Sequence, residues 1–119
     1  MQKVPSKETH LEQYQHNRDF LEHGISDTNK FADWAVTVTF YCAVHIVEAA
    51  LANMQIHSEN HKDRGEKIKN LRCHKLKIYY KDLYSRSITS RYKCITQTSK
   101  DVDDALKDLK AIQAAVRIE

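Results

Sequence analysis

Glycine and proline are scarce in this chain: only two glycines and one proline occur among its 119 residues. An all-β fold needs many tight turns, and these two residues usually supply them, so the composition argues against a sandwich or a barrel. No stretch shows sustained alternation of apolar and polar residues. The sequence therefore predicts an all-α fold, an up-and-down bundle of four to five helices. A chain of this length is expected to form one domain, 1–119, with its core at about 7–117.

The most apolar part of the chain is the segment FYCAVHIVEAAL, residues 40–51, which lies within a predicted second helix from Lys30 to Met54. This helix is apolar on nearly every side, which is typical of the centre of a bundle. Its apolar part also has about the length of a membrane span, but ionisable groups such as His45 and Glu48 are costly in lipid. We therefore expect a buried central helix and no membrane association.

Local signals predict where the neighbouring helices begin and end. The first helix follows Pro5 and runs to about His23, because Gly24 is a typical residue just past a helix C-terminus. A third helix is expected after the polar segment QIHSEN, where Ser58 is a good N-cap.

A fourth helix is predicted to begin near Lys75, because the apolar phase slips at Cys73 and His74. The following segment SRSITSRYKCITQTS looks irregular, although its first part can continue that helix. Thr98 and Asp101 have the spacing of a capping box, which opens the last helix. The apolar stripe of the last helix consists of Val102, Leu106, Leu109, Ile112 and Val116.

The cysteines and the amino-terminal segment bear on localisation. The cysteines are Cys42, Cys73 and Cys94, which are far apart and form no CxxC pair. An odd, scattered set is typical of reduced thiols. The opening segment MQKVPSKETHLEQYQ lacks the apolar stretch of a secretory signal. We therefore predict a cytoplasmic protein.

Charge is unevenly distributed along the chain. Residues 61–94 contain eleven Lys or Arg and three Asp or Glu, a net charge of +8, whereas the rest of the chain carries −5. A basic block of this kind can attract a polyanion such as RNA or DNA. It can equally form a solvated face that is balanced by acidic helices of the same fold or of a second copy. The sequence leaves both interpretations open.

Seven residues in and near this basic block have the chemistry of a nucleic-acid or nucleotide site. Arginine can hold a phosphate through two parallel hydrogen bonds, and tyrosine can stack on a base. The candidates are His57, His61, Arg64, Tyr84, Arg86, Arg91 and Tyr92. The alternative is structural, with Arg86 or Arg91 paired to Glu48 so that the pair stabilises the bundle.

His45 and Glu48 are three residues apart, so a helix places them on one face about one turn apart. Burying ionisable groups without partners is expensive. We therefore predict a buried polar seam at His45 and Glu48. The two side chains bond each other, bond another buried polar group, or border a cleft or dimer interface that contains later basic residues.

No motif predicts a metal ion or a cofactor. His57 and His61 have a four-residue spacing that suits zinc on a helix, but His57 precedes the predicted N-cap. The chain has neither a CxxC nor an HExxH motif, and it lacks a glycine-rich phosphate loop. We therefore predict no metal site and no cofactor.

Three segments together resemble a known family. They are FADWAVTVTFYCAVHIVEAALA, HSENHKDR and YYKDLYSRSITSRY, and an amphipathic helix follows them. An aromatic-rich second helix, a His-rich turn and a Tyr- and Arg-rich ending resemble small prokaryotic proteins of the HEPN class over roughly residues 10–116. The resemblance implies a helical bundle, commonly a homodimer. It also implies RNA or nucleotide binding, or RNA cleavage, often in defence or toxin–antitoxin systems.

Catalytic members of the HEPN class carry an arginine followed four to six residues later by a histidine, late in the bundle. This sequence departs from that pattern, because neither Arg86 nor Arg91 has a histidine in range. Arg18 and His23 match the spacing but lie in the first helix, so the catalytic role is not carried over to them. A variant, metal-independent site remains as a hypothesis, formed by His45, His57 or His61 with Arg86 or Arg91. Of these, His45 and Arg91 are the catalytic candidates, for proton transfer and phosphate contact.

The sequence thus predicts three functions in order of preference. The first is a HEPN-like module that binds RNA or a nucleotide. The second is a metal-independent endoribonuclease with a variant Arg/His site. The third is a non-catalytic interaction module that binds a protein partner, such as an antitoxin or an effector. Whether the protein is an enzyme stays open, and a non-catalytic role is favoured.

Overall fold

Five α-helices form the protein in a computed structural model that describes residues 4–116. They are α1 (Lys7–Asp19), α2 (Ala32–Asn53), α3 (His61–Lys67), α4 (His74–Tyr92) and α5 (Ser99–Ala115). A π-helical turn, Phe20–Gly24, follows α1, and a 3-10 turn, Ile68–Leu71, follows α3. No strand occurs between residues 4 and 116. The predicted all-α bundle is confirmed, and the prediction for residue 117 lies outside the described part of the chain.

The central position of α2 follows from its composition. Nearly every side chain from Ala35 to Leu51 is buried, and α1, α4 and α5 all pack against this helix. Its length and its mean hydropathy of 1.7 would suffice to cross a membrane, yet 78% of its most apolar window is buried inside the bundle. The hydroxyls of Thr37 and Thr39 donate to the carbonyls one turn earlier, at 2.8 and 2.7 Å, so neither is left unpaired.

A close approach explains the glycine after the first helix. Ser6 caps α1 by accepting a hydrogen bond from the amide of Thr9. The helix then widens into the π-helical turn, which ends at Gly24 as the sequence predicts. A Cβ atom at Gly24 would lie 2.4 Å from Cδ1 of Phe20, so a larger residue would displace that ring.

The predicted N-cap of the third helix is wrong. Asn60, not Ser58, caps α3, and its side chain accepts from the amide of Asp63 at 2.8 Å. Ser58 is instead buried, and its hydroxyl donates to Glu48 on α2. The N-cap therefore lies two residues later than predicted, because the hydroxyl of Ser58 is used in a tertiary hydrogen bond.

The break between the third and fourth helices lies where the sequence predicts it. Arg72 adopts a left-handed backbone with φ of 53°, and α4 begins at His74. The segment SRSITSRY is helical throughout, since α4 continues to Tyr92. Only the short stretch before α5 is irregular, and Cys94 there also has a φ of 53°.

The last helix matches its prediction closely. Thr98 and Asp101 form the capping box, with both reciprocal hydrogen bonds in place. The predicted stripe faces the core, although Leu106 is half-buried while Val102, Leu109 and Ile112 are buried. Asp108 is buried on the same helix, which the apolar pattern does not indicate.

Candidate nucleic-acid interface

Four of the seven predicted binding residues lie along one face of the bundle. His61 is the first residue of α3, while Tyr84, Arg91 and Tyr92 belong to the second half of α4. The seven-residue spacing of Tyr84 and Arg91 is two helical turns, so both point to the same side of α4. We call this surface the aromatic–basic face. Its full set of residues is Trp34, Tyr41, His61, Lys69, Lys77, Lys81, Tyr84, Arg91 and Tyr92.

His61 forms the middle of the face. Its ring stacks on Tyr84 with centroids 3.6 Å apart and planes inclined by 12°, and it meets the buried Phe40 edge-on at 6.4 Å. Burial, followed by the charges of Arg64 and Arg91, lowers the pKa of His61 below its ordinary value of 6.5. The imidazole is therefore neutral at pH 7. Its Nδ1 is buried and has no hydrogen-bond partner within residues 4–116.

Arg91 is held by rings and hydroxyls instead of by a carboxylate. Its guanidinium donates to the carbonyl and the hydroxyl of Ser87 at 3.2 and 3.1 Å, and lies 3.5 Å from the Tyr41 hydroxyl. The guanidinium carbon is 5.7, 5.9 and 5.1 Å from the ring centres of Phe40, Tyr41 and Tyr92. Over residues 4–116, no acidic oxygen lies within salt-bridge distance of this guanidinium.

A cavity of about 350 Å³, the Arg91 pocket, opens between the start of α2 and the end of α4. The indole of Trp34 is 60% exposed and the ring of Tyr92 is 66% exposed at this pocket. Exposed rings of this size usually have a partner, because they offer a large apolar surface to water. The complete lining is Asp33, Trp34, Thr37, Tyr41, Ser90, Arg91 and Tyr92.

A second cavity of about 310 Å³, the lysine pocket, lies at the other end of the face, between α3 and the first half of α4. His61, Tyr80 and Tyr84 form its aromatic wall. Its three lysines, all exposed, are Lys69, Lys77 and Lys81. None of the three forms a salt bridge with any residue between 4 and 116.

Reasoning from the sequence did not select Trp34, Tyr41 or the three lysines of this face. A usable signal was present, because Lys77, Tyr84 and Arg91 recur at intervals of seven residues. The signal is readable only if residues 85–92 are assigned to the same helix as Lys77. The segment is predicted to be irregular beyond its first part, so the stripe is hidden in the sequence.

Arg64, a predicted binding residue, is engaged inside the protein. Its Nε donates to Glu48 at 2.7 Å, and its guanidinium also lies 3.3 Å from the hydroxyl of Tyr80. Glu48 is only 3% exposed and accepts from Ser58 as well. Glu48 is thus paired with an arginine, as the structural alternative predicts. The arginine, however, is Arg64, not Arg86 or Arg91.

Arg86, another predicted binding residue, lies on the opposite side of α4. Its guanidinium is 2.9 Å from Asp82, 3.4 Å from Asp108 and 3.8 Å from Asp104. Two of these carboxylates come from α5, so Arg86 joins the two helices. Burial, then hydrogen bonding and charge repulsion from Asp82, raises the pKa of Asp108 to about 7. We call this group of four residues the acidic seam.

The two residues of the predicted polar seam, His45 and Glu48, have different hydrogen-bond partners. Both side chains face inward, but His45 bonds His10 of α1, with 3.0 Å between their Nδ1 atoms. Burial, followed by His10 and Arg64, lowers the pKa of His45 to about 4. Within the described residues, the carboxylate of Glu48 bonds Ser58 and Arg64, not His45.

The two predicted catalytic candidates have different surroundings. Arg91 belongs to the aromatic–basic face, whereas His45 is engaged with His10 beneath α1. The histidine whose pKa responds to the charge of Arg91 is His61. His57 is half-buried, and its carbonyl accepts from Lys67 at 2.6 Å. Residues 4–116 contain no group of three or more His, Cys, Asp or Glu side chains arranged to hold a metal ion.

Comparison with protein-family models, curated proteins and solved structures finds no match for this chain. The resemblance to the HEPN class therefore stays a prediction.

Proposed function

We propose that the protein is a HEPN-like helical module that binds RNA or a nucleotide through the aromatic–basic face. One observation carries the proposal. Three lysines and Arg91 share a surface with exposed aromatic rings, and no carboxylate within residues 4–116 forms a salt bridge with any of these four cations. The resemblance adds a defence or toxin–antitoxin setting in the cytoplasm to this proposal.

The chemistry of the ligand follows from that surface. Unpaired cations attract phosphates, and their binding releases counterions, so affinity falls as salt increases. Exposed rings such as Tyr92 and Trp34 stack on bases of any sequence, and each stacked base contributes about 1–3 kcal/mol. A polyanion without bases, such as heparin, would use the cations alone. Nucleic acids and nucleotides use both parts of the surface.

A binding titration with a fluorescein-labelled single-stranded RNA tests the proposal. Replacing Arg91, or Lys77 together with Lys81, by alanine is expected to weaken binding by about tenfold. Lys110→Ala is the matched control, because Lys110 is an exposed lysine on α5, away from the face. Equal affinities of all these proteins, or no binding of either RNA or a mononucleotide at low salt, would refute the proposed function.

An endoribonuclease is the second candidate, because the His61 ring and the Arg91 guanidinium both lie near the ring of Phe40. A neutral imidazole can accept a proton from a ribose hydroxyl, and a nearby guanidinium can stabilise charge that develops on phosphate. The pKa of His61 is lowered, in part by Arg91, and both side chains belong to the face. His61 thus replaces His45 as the proposed proton carrier.

Incubation with end-labelled RNA in EDTA tests the second candidate. Discrete cleavage should disappear in His61→Gln and Arg91→Ala proteins and persist in His45→Gln. Intact RNA with the wild-type protein would exclude metal-independent cleavage of these substrates and leave binding as the function. Cleavage that survives in His61→Gln would show that another group carries the proton.

A protein-interaction role is the third candidate, and an apolar surface favours it. Phe20, Phe31 and Trp34 line a cavity of about 400 Å³ beside the π-helical turn, and all three rings are exposed. Exposed apolar patches of this kind often mark a protein interface. We propose that a second copy of the chain covers Phe20 and Phe31 in a homodimer and leaves Trp34 to the Arg91 pocket. Sedimentation should show a dimer for the wild type and a monomer for Phe31→Ser, and a monomeric wild type would contradict it.

A further inference from the structure

The two pockets of the aromatic–basic face differ in chemistry. The Arg91 pocket combines three aromatic rings with one guanidinium, a composition that suits a stacked base. The lysine pocket carries three exposed ammonium groups around an aromatic wall, a composition that suits phosphate groups. One small ligand would therefore satisfy only one of the two chemistries.

The distance between the pockets follows from the geometry of α4. Lys81 lines one pocket and Arg91 lines the other, and both belong to the same straight run of helix. Ten residues at a rise of 1.5 Å each separate their backbones by roughly 15 Å along the helix axis. A stacked strand rises about 3.4 Å per nucleotide, so this distance corresponds to about four nucleotides.

Aromatic side chains connect the two pockets. Tyr84 lines the lysine pocket, and the ring of Phe40 lies 5.7 Å from its ring. The same Phe40 ring lies 5.7 Å from the guanidinium of Arg91. Phe40 is itself buried, whereas Tyr84 is half-buried. A strand that crosses from one pocket to the other would therefore contact the exposed part of Tyr84.

Two carboxylates limit where phosphates can lie. Asp33 lines the Arg91 pocket, and Glu66 lines the lysine pocket, where three lysines outnumber it. A carboxylate repels phosphate but accepts hydrogen bonds from the amino groups of bases. Asp33 therefore disfavours a phosphate beside Trp34 and favours a base there. Such a site favours a strand whose bases and phosphates lie at defined positions over a polyanion that is held only by charge.

We propose, on the basis of the proposed function, that the ligand is a single-stranded oligonucleotide that occupies both pockets at once, not a mononucleotide. A base stacks in the Arg91 pocket, the chain crosses Tyr84, and phosphates further along contact Lys77 and Lys81. Once one pocket is filled, the other binds the same molecule at a high effective concentration. Affinity therefore rises steeply with length until a strand of about four nucleotides reaches both pockets.

A length series tests the inference. Fluorescein-labelled single-stranded oligouridylates, from the mononucleotide to the octamer, are titrated into the wild-type protein at low salt. Affinity is expected to rise by at least about tenfold between dimer and tetramer, and then to increase only slowly. The same series made of DNA shows whether the site requires RNA or accepts any single strand. Either result is compatible with a strand that spans both pockets.

Three variants show which pocket each length reaches. Tyr92→Ala should weaken every length, because the ring contributes to the base pocket. Lys77→Ala combined with Lys81→Ala should weaken the tetramer and octamer about tenfold but leave the mononucleotide unchanged. Lys110→Ala on α5 should change no length, since this exposed lysine belongs to neither pocket. An octamer in a duplex should bind more weakly than the single strand, because its bases cannot stack on Tyr92.

The outcomes separate this inference from the proposed function. A mononucleotide that binds as tightly as the octamer would overturn the two-pocket ligand and leave nucleotide binding intact. Duplex and single strand binding equally well would also overturn it, because charge alone would then explain affinity. No binding of any length at low salt would overturn the proposed function itself.

Discussion

The two sides of α4 carry similar cations in opposite surroundings. On the side that faces α2 and α3, Lys77, Lys81 and Arg91 lie among aromatic rings and form no salt bridge within residues 4–116. On the side that faces α5, Arg86 lies within 4 Å of three aspartates. One helix therefore presents a free basic face and a neutralised one.

This difference shows why a local count of charge is a poor guide to a binding surface. The basic block of +8 looks uniform in the sequence, and both Arg86 and Arg91 belong to it. The aspartates of α5 cancel the first charge, while the second meets only a backbone carbonyl, hydroxyls and rings. The proposed interface is therefore defined by which basic residues form no salt bridge as much as by where basic residues occur.

The largest expected effect comes from detaching α3 from the aromatic–basic face. Arg64→Ala leaves Glu48 buried without its cation, which is expected to cost about 3 kcal/mol of folding free energy. Because α3 carries His61, RNA binding should fall together with stability. Urea denaturation and the binding titration measure the two effects.

Arg18→Ala is the control for that prediction. It breaks an exposed ion pair with Glu22, and such pairs contribute at most about 1 kcal/mol. An Arg64→Ala protein as stable as Arg18→Ala would show that the buried pair does not hold α3 in place.

Removing one arginine from each side of α4, in separate variants, should give the next largest effect. Arg91→Ala is expected to reduce RNA affinity about tenfold with little change in stability. Arg86→Ala should leave RNA affinity unchanged but cost about 1 kcal/mol of stability, because it leaves neighbouring carboxylates without their cation. The reverse result, with RNA affinity lost only in Arg86→Ala, would assign the interface to the acidic seam.

The pair of His10 and His45 predicts loss of stability in acid. The folded pKa of His45, about 4, lies below its ordinary value of 6.5, so the unfolded chain binds more protons between these values. Stability is therefore complete above pH 6.5 and falls as the pH decreases toward 4. Allowing for the partial exposure of His45, we expect about 1 kcal/mol, or a decrease in Tm of about 4–8 °C.

Thermal unfolding across this pH range measures that loss. His45→Gln cannot take up the proton, so its Tm should change less than that of the wild type. His16→Ala, an exposed histidine on α1, should keep the full decrease. A decrease that is identical in His45→Gln would assign the acid sensitivity to other groups.

The acidic seam should respond to pH in the opposite direction, with the smallest effect. The folded pKa of Asp108, about 7, lies above its ordinary value of 3.8, so the folded chain binds more protons between them. Its contribution to stability is complete below pH 3.8 and is lost as the pH rises through 7. Asp108→Asn keeps a donor toward Asp82, so its Tm should exceed that of the wild type by a few degrees above neutral pH.

The matched control is Asp103→Asn, an exposed aspartate on the same helix. Its Tm should follow that of the wild type at every pH. A Tm for Asp108→Asn that lies below the wild type in alkaline solution would mean that the ion pair with Arg86 outweighs the burial of the carboxylate.

Much of the fold could be predicted from the sequence because its signals are local. The capping box of Thr98 and Asp101 and the break near Cys73 depend on residues within one or two turns of each other. The buried centre at α2 follows from a composition that is apolar on nearly every side of the helix. Scarce glycine and proline likewise indicate helices without reference to any partner.

The partners of the ionisable side chains were decided only by the tertiary structure. The nearest candidate for Glu48 in the sequence is His45, yet the carboxylate bonds Ser58 and Arg64, ten and sixteen residues away. Helical spacing determines which face a side chain shares, but it does not determine which element packs against that face. The position of a charged side chain on a helix can thus be predicted from the sequence, whereas its neutralisation by a salt bridge depends on contacts between helices.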